Sequence, residues 1–182
     1  NKKLSPLLGY MPPSGTPYQK NVGVKWLSRC HVKSTAENIL LSNGGQNALC
    51  AILSSLFQPG DKIGTDPLTF SGIKTLAKML HIQLIPIPNA HDDEAFSPEY
   101  LEQYCKTEGL KGLYVIPDFQ NPMTYCMSLK RRKELAEIAK NYKLIIIEDA
   151  INSLLSSQPP TAIVSLLPDQ TLYISSLSKV LC

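Results

Sequence analysis

From about residue 38 onward, short apolar runs alternate with amphipathic stretches. Short runs rich in β-branched side chains predict strands, whereas apolar positions that recur every three or four residues predict helices. The predicted strands are 39–41, 62–65, 83–87, 112–116, 144–147 and 171–175, and the predicted helices are 46–57, 70–80, one beginning at Ser97-Pro98 and one capped by Ser128. This alternation indicates βαβ units that feed a mostly parallel sheet in an α/β fold.

The run Leu144–Ile147 is apolar at four consecutive positions and is followed by Glu148-Asp149. A strand that is apolar on both faces belongs in the interior of a parallel sheet. In open α/β sheets, ligands bind beyond the carboxyl ends of the strands. We therefore expect the candidate site among the residues that follow the strands, which are 44–46, 117–122, Asp149 and 176–179.

Charge and length favour one domain without a nucleic-acid surface. The 182 residues suit a single core, divided here into an N-terminal arm and helix (1–37) and a large domain (38–182). The net charge of +3 comes from scattered cations, and the longest basic run, 130–133, is interpreted as the solvated face of an amphipathic helix.

The cysteines favour a reducing cytoplasm over an extracellular location. They are odd in number and widely spaced: Cys30, Cys50, Cys105, Cys126 and Cys182. Without a CxxC pair, this pattern predicts neither a disulfide framework nor a zinc site. The sequence also shows no basic-then-apolar leader and no apolar run near the roughly 18 residues that a membrane span needs.

Five motifs, in a fixed order along the chain, carry a family resemblance. They are SNGGQNAL, QPGDKIGTDPLTFSG, YVIPDFQNP, SLKRRKELAEIAKNYKLIIIEDA and YISSLSK. Together they resemble the large domain of fold-type I aminotransferases, which depend on pyridoxal 5'-phosphate (PLP). The most similar groups are the aminoadipate/kynurenine aminotransferases and the MocR-type regulators of the GntR family, which join such a domain to a winged-helix DNA-binding module. The resemblance covers about residues 8–182 and implies a three-layer α/β/α architecture.

The resemblance assigns the central chemistry to Lys179 and Asp149. The matching lysine holds PLP as a Schiff base, which requires an unprotonated primary amine when it attacks. The matching aspartate pairs with the pyridine nitrogen and keeps it protonated, so that the ring can act as an electron sink. Taken alone, Lys179 is also compatible with a surface lysine after a strand, and Asp149 with a turn or a helix cap.

The resemblance assigns the phosphate to the start of the first predicted helix of the large domain. Gly45 and Gln46 would bind it through backbone N–H groups, because a helix N-terminus offers unpaired donors and a favourable dipole. Ser176 and Ser178 match serines whose hydroxyls complete this cradle. By themselves the glycines also fit a plain turn, and the serines a polar loop.

Three further residues match ring or phosphate contacts of the family. Phe70 matches the aromatic side chain that stacks on the cofactor ring, although such a residue is more often part of a core. Asn121 matches the asparagine that hydrogen-bonds the ring O3′. Tyr10 resembles the tyrosine that reaches the phosphate of a partner subunit, which implies a homodimer.

Two local departures and the ends of the chain qualify this assignment. A tyrosine that commonly follows the aspartate is replaced by Ile151 and Asn152, and the usual Asn-Pro-Thr-Gly reads Asn-Pro-Met-Thr at 121–124. Both ends are expected to be cuts in a longer protein. The family's phosphate arginine, its substrate-binding arginine and its C-terminal small domain would then lie beyond residue 182.

Three functions remain open at this point. The first is an aminotransferase that moves an amino group between an amino acid and a 2-oxo acid. The second is the effector domain of a regulator, which would bind PLP with a ligand amino acid or amine and reach DNA only through a separate module. The third is a scaffold that has lost its cofactor. A faint helix-turn-helix likeness at 27–32 carries little weight, because the family alignment places the helix before the phosphate loop there.

Overall fold

The computed structural model describes residues 9–89 and 95–181. Five strands form one parallel sheet in the order β2-β1-β3-β4-β5. They are β1 Lys62–Thr65, β2 Gln83–Pro86, β3 Gly112–Val115, β4 Ile145–Asp149 and β5 Thr171–Ile174. The sequence predicted all five to within two residues at each end, and the interior position predicted for β4, between β3 and β5, is confirmed.

Among the described residues, five α-helices accompany the sheet, and three of them begin at a polar cap in the sequence. They are α1 Pro17–Ser28, α2 Gly45–Leu56, α3 Ser71–Met79, α4 Pro98–Glu108 and α5 Leu129–Tyr142. Thr16 and Gln19 form a capping box at α1, the Ser97 hydroxyl caps α4, and the Ser128 hydroxyl accepts a hydrogen bond from the backbone N–H of Arg131 at α5. Each cap satisfies a backbone donor that the first helical turn leaves unpaired.

The helices cover both faces of the sheet. On one face, α2 and α3 bury Leu53 and Ile73 against Tyr114 and Ile147. On the other face, α4 and α5 pack buried side chains against the opposite side of the same strands; these side chains include Leu101, Leu135, Leu113 and Ile146. The predicted three-layer α/β/α architecture is confirmed. No helix among the described residues combines the length and apolar character needed to cross a membrane.

The strand predicted at 39–41 is wrong. This segment pairs with none of the five strands, and the side chain of Leu40 is 77% exposed. Its backbone N–H groups bond elsewhere: Ile39 donates to the carbonyl of Ala36, and Leu41 donates to the carbonyl of Ser14. An apolar run becomes a strand only where a neighbouring backbone can pair with it, and the described residues supply no such neighbour here.

The basic run 130–133 was predicted to be the solvated face of a helix, and this prediction is wrong for Arg132. Lys130 and Lys133 are exposed, but Arg132 is completely buried on the stripe that α5 turns toward the sheet. Its guanidinium lies 2.5 Å from Asp118 and donates hydrogen bonds to the carbonyls of Pro117 and Met127. A buried guanidinium requires this many partners, since an unpaired charge is costly inside a protein.

Candidate active site at the carboxyl edge of the sheet

The strongest site feature is a buried carboxylate that is only half satisfied. Asp149 ends β4 on the same face as Ile147 and is 3% exposed. Its Oδ2 accepts a hydrogen bond from the hydroxyl of Tyr114 at 2.6 Å, whereas its buried Oδ1 has no hydrogen-bond partner among the described residues. Burial raises the pKa of Asp149, and hydrogen bonds from the Tyr114 hydroxyl and from the backbone N–H of Ile151 oppose that rise. An N–H donor that carries positive charge would complete this group.

The lysine and the two serines follow the neighbouring strand. Asp149 lies opposite Ile174 of β5 in the parallel register, and the chain continues from there through Ser176 to Lys179. The Ser176 and Ser178 hydroxyl oxygens are 2.9 Å apart. Lys179 is exposed in a turn just beyond them. The two strand ends that carry the predicted catalytic residues are therefore adjacent.

The start of α2 lies against these same strand ends. A Cβ atom placed on Gly45 would lie 3.7 Å from Ile151 and 4.0 Å from Ile174. The preceding residue, Gly44, has a φ of 93° and leaves the helix without a side-chain cap. The first N–H groups of α2 therefore lie close to the strand ends and have no side-chain cap from Gly44, which suits an anion such as a phosphate.

Gln46 and Phe70 meet at Gly72. The Gln46 side chain donates a hydrogen bond of 3.1 Å to the Gly72 carbonyl. A Cβ atom on Gly72 would collide with both the Phe70 ring and the Gln46 amide oxygen, so glycine is required for this close approach. The structure thus brings the predicted ring-stacking residue beside the helix predicted to bind the phosphate.

Asn121 lies exposed on the loop that follows β3 and is joined to Pro122 by a cis peptide bond. The position where the family commonly has a tyrosine serves this loop instead: the Asn152 amide donates a hydrogen bond of 3.2 Å to the carbonyl of Phe119. Thr124, which stands where the family has glycine, has a φ of 62°. The departures seen in the sequence therefore alter how the Asn121 loop is held, and Asn121 itself remains at the edge.

Tyr10 stands apart from the other predicted residues. Its side chain is fully exposed, and its predicted contact involves a second subunit. That role stays a prediction.

Sequence reasoning missed the partner of the central carboxylate. Tyr114 is completely buried in β3 among Leu113, Val115 and Ile116. A tyrosine in an otherwise aliphatic buried strand signals a hydrogen-bond partner for its hydroxyl, because burying that group alone is costly. The identity of the partner depends on the parallel register, which the sequence does not reveal.

A second buried pair was also missed. The Tyr125 hydroxyl donates a hydrogen bond of 2.8 Å to Asp66, which follows β1 and is 2% exposed. Burial raises the pKa of Asp66 to about 6, and hydrogen bonds from Tyr125 and Gln120 oppose the rise. The position of Asp66 after a strand was the available signal, whereas nothing in the sequence identified Tyr125.

Comparison with known proteins agrees with this geometry. The family model for aminotransferase class I and II matches residues 2–181. An uncharacterized HTH-type transcriptional regulator of Bacillus subtilis, YdeF, is 46% identical over 90% of this chain, and aromatic-amino-acid aminotransferase 1 of Thermococcus litoralis is 31% identical over 86% of it. The kynurenine aminotransferase of Pyrococcus horikoshii, solved in complex with PMP, aligns over 96% of the chain and 45% of its own, at 30% identity and a TM-score of 0.84.

The fold is that of the large domain of PLP-dependent transferases. The chain belongs to the aminotransferase class I and II family. It spans 35% of the length of the regulator and 39% of that of the Thermococcus aminotransferase, so it corresponds to a part of these relatives.

Proposed function

We propose that this chain is the PLP-binding domain of a protein that transfers an amino group between an amino acid and a 2-oxo acid. The observation that carries the proposal is the unpartnered, buried Oδ1 of Asp149 at the carboxyl edge of the sheet. A protonated ring nitrogen would supply the missing donor and the positive charge together. The Tyr114 hydroxyl would hold the other oxygen and so fix the orientation of the carboxylate.

The remaining residues of the edge fit the other parts of such a cofactor. The backbone N–H groups of Gly45 and Gln46 would bind the phosphate, with the hydroxyls of Ser176 and Ser178 beside them. Phe70 would pack on the ring, and the Asn121 amide would donate to its hydroxyl oxygen. Bound PLP supplies a ring that stabilises the negative charge left when a substrate loses its α-proton.

Lys179 would hold the cofactor covalently through its side-chain amine. Its Nζ would also be the group that accepts and donates a proton at the α-carbon of a bound substrate, as general acid–base catalysis requires. Tyr10 would contact the phosphate of a partner subunit, so the working unit would be a homodimer. We infer a cytoplasmic location because the described cysteines, including buried Cys30 and Cys105, are free thiols.

A second function is favoured by two specific observations. The relative with 46% identity is named as a transcriptional regulator. In addition, Asn152 stands where the family commonly has a tyrosine, and its amide is hydrogen-bonded to the loop that carries Asn121. The chain would then be an effector domain that binds PLP with an amino acid or amine and acts on DNA through a separate module.

The test uses the full-length protein loaded with PLP. Borohydride reduction followed by peptide mapping should place the pyridoxyl mass on Lys179. The exposed Lys78 is the internal control and should carry no label. Loss of the visible absorbance band in Lys179→Ala supports the assignment. Failure to trap any label on Lys179 in the wild type contradicts it.

A donor screen separates the two functions. A half-reaction with an amino acid, seen as a change in the absorbance of the bound cofactor followed by release of a 2-oxo acid, supports the enzyme. Ligand-dependent DNA binding without any half-reaction supports the effector domain.

A further inference from the structure

Two loops at the carboxyl edge are joined by two hydrogen bonds, one buried and one partly buried. Loop A (66–70) follows β1, and loop B (117–127) follows β3. The Tyr125 hydroxyl of loop B donates to the Asp66 carboxylate of loop A at 2.8 Å. The Gln120 amide of loop B donates to the Leu68 carbonyl of loop A at 2.7 Å. Tyr125 and Asp66 are both buried, so water competes little for the bond between them. The second bond is partly buried, because Gln120 is buried but Leu68 is exposed.

Each loop is also attached to the rest of the fold at its own side. In loop B, the Phe119 carbonyl accepts from Asn152 just after β4, and the Pro117 carbonyl accepts from Arg132 of α5. In loop A, the Phe70 ring rests against Gly72, where Gln46 of α2 is bound. The hydrogen bonds between the loops therefore connect two separately anchored halves of the edge.

The two halves carry different residues of the candidate site. Loop A presents Phe70, and loop B presents Asn121. A hydrogen bond from a hydroxyl to a buried carboxylate is stronger and more directional than a contact between apolar groups. It therefore fixes the relative position of the two loop backbones more tightly. The sequence gap between Asp66 and Tyr125 is 59 residues, so no local turn imposes this spacing.

We propose that Tyr125 is a positioning residue, which acts through Asp66 to set the distance between Phe70 and Asn121 and thereby the fit of the cofactor ring. This inference rests on the proposed function, because Phe70 and Asn121 are assigned to the ring there. Tyr125 touches neither the ring nor the reacting atoms in this role. Gln120 adds a second bond along the same seam.

The experiment measures the PLP dissociation constant of the full-length protein by absorbance titration. Tyr125→Phe removes the hydroxyl alone, and we expect binding to weaken about tenfold, the size of one lost hydrogen bond to a charged group. At saturation, the visible circular dichroism per bound cofactor should also change, because the ring is held differently. A role in stability alone would leave that signal unchanged.

The matched control is Tyr142→Phe. The Tyr142 hydroxyl also donates to a carboxylate, that of Glu102, but on the outer α4–α5 surface. This variant should bind PLP like the wild type. Asp66→Asn should retain most of the affinity, since an amide oxygen still accepts the Tyr125 hydroxyl.

A double variant guards against misfolding. Tyr125→Phe removes the hydroxyl donor from Asp66, whereas Tyr125→Phe with Asp66→Leu replaces both partners by apolar side chains, which is better tolerated. We expect the double variant to fold and to show the same loss of affinity. Wild-type affinity in Tyr125→Phe or in the folded double variant overturns the inference alone. A wild-type protein that binds no PLP overturns the proposed function and the inference together.

Discussion

Glu148 and Asp149 are neighbours in β4 and both are buried, but their carboxylates differ in how fully they are hydrogen-bonded. The two oxygens of Glu148 accept hydrogen bonds from the backbone N–H groups of Ile163 and Val164, at 2.9 and 2.8 Å. Asp149 has one oxygen bound to Tyr114 and one without a partner among the described residues. A buried carboxylate with complete partners holds a structure together, whereas one with an unmet bond is prepared for a ligand.

The same contrast extends to the surroundings of each group. On the Glu148 face, Arg132 pairs with Asp118, and Ser153 binds the second oxygen of Asp118 at 2.5 Å. On the Asp149 face, the neighbouring groups are strand ends and the uncapped start of α2. Changes on the first face should reduce stability, and changes on the second should reduce cofactor binding.

The largest effect is expected at Arg132. Arg132→Met should lower the free energy of unfolding by about 3–5 kcal/mol, because Asp118 would keep a buried charge without its cation. Chemical denaturation of the full-length protein measures this loss. Lys133→Met, at an exposed neighbouring position, is the control and should change stability by less than about 0.5 kcal/mol. A loss at Arg132 no larger than the control would show that the pair is not structural.

Glu148→Gln should have the next largest effect. One amide N–H₂ group would then face a backbone N–H donor of Ile163 or Val164, and the unsatisfied donors should cost about 2–3 kcal/mol. Asp149→Asn is the matched comparison on the other face and should change the stability of the cofactor-free protein by less than about 1 kcal/mol. Equal losses in the two variants would break the contrast between the faces.

The pH dependence of stability follows from the raised carboxyl pKa values. Burial raises the pKa of Asp66 to about 6 and that of Glu148 to about 7, so the folded protein retains protons that the unfolded chain has released. The resulting stability is fully present below the unfolded pKa values, near 4, and is lost as the pH rises through 6 and 7. Denaturation at pH 5 and pH 8 should show this fall.

Asp66→Asn should remove on the order of 1–2 kcal/mol of that fall, since asparagine has no carboxyl proton to lose. A stability that rises between pH 5 and pH 8 would contradict the assignment of these pKa directions.

The smallest effect concerns Thr124 in loop B. Its φ of 62° is unfavourable for a β-branched residue. Thr124→Gly should therefore raise the free energy of unfolding by about 1 kcal/mol, after allowance for the greater freedom of glycine in the unfolded chain. Thr124→Ala tests the cause, because alanine keeps a Cβ and should give no such gain. A gain in both variants would exclude backbone strain as the reason.

Much of the fold could be predicted from the sequence, because periodicity and caps are local signals. The apolar runs located all five strands, and Ser97 and Ser128 located helix starts. The error at 39–41 arose because strand formation depends on a partner that the run itself does not specify. Arg132 was misjudged by its charge, although it occupies the apolar stripe of α5 with Leu135 and Ala139.

The candidate site was predicted unevenly for a similar reason. Asp149, Gly45 and Ser176 follow strands or begin a helix, so their place at the edge could be inferred from order along the chain. Tyr114 and Tyr125 act across strands and loops 35 and 59 residues away from their carboxylate partners. Only the register and the loop paths bring those groups together.

The most direct test of the account compares PLP binding by the full-length wild type and by Asp149→Asn. The loss of a charge-assisted pair with the ring nitrogen should weaken binding about tenfold to a hundredfold, while the apo protein remains as stable as the wild type. Asp169→Asn, at an exposed carboxylate, should bind like the wild type. Unchanged affinity in Asp149→Asn would contradict the claim that the unpartnered Oδ1 of Asp149 binds the ring nitrogen of the cofactor.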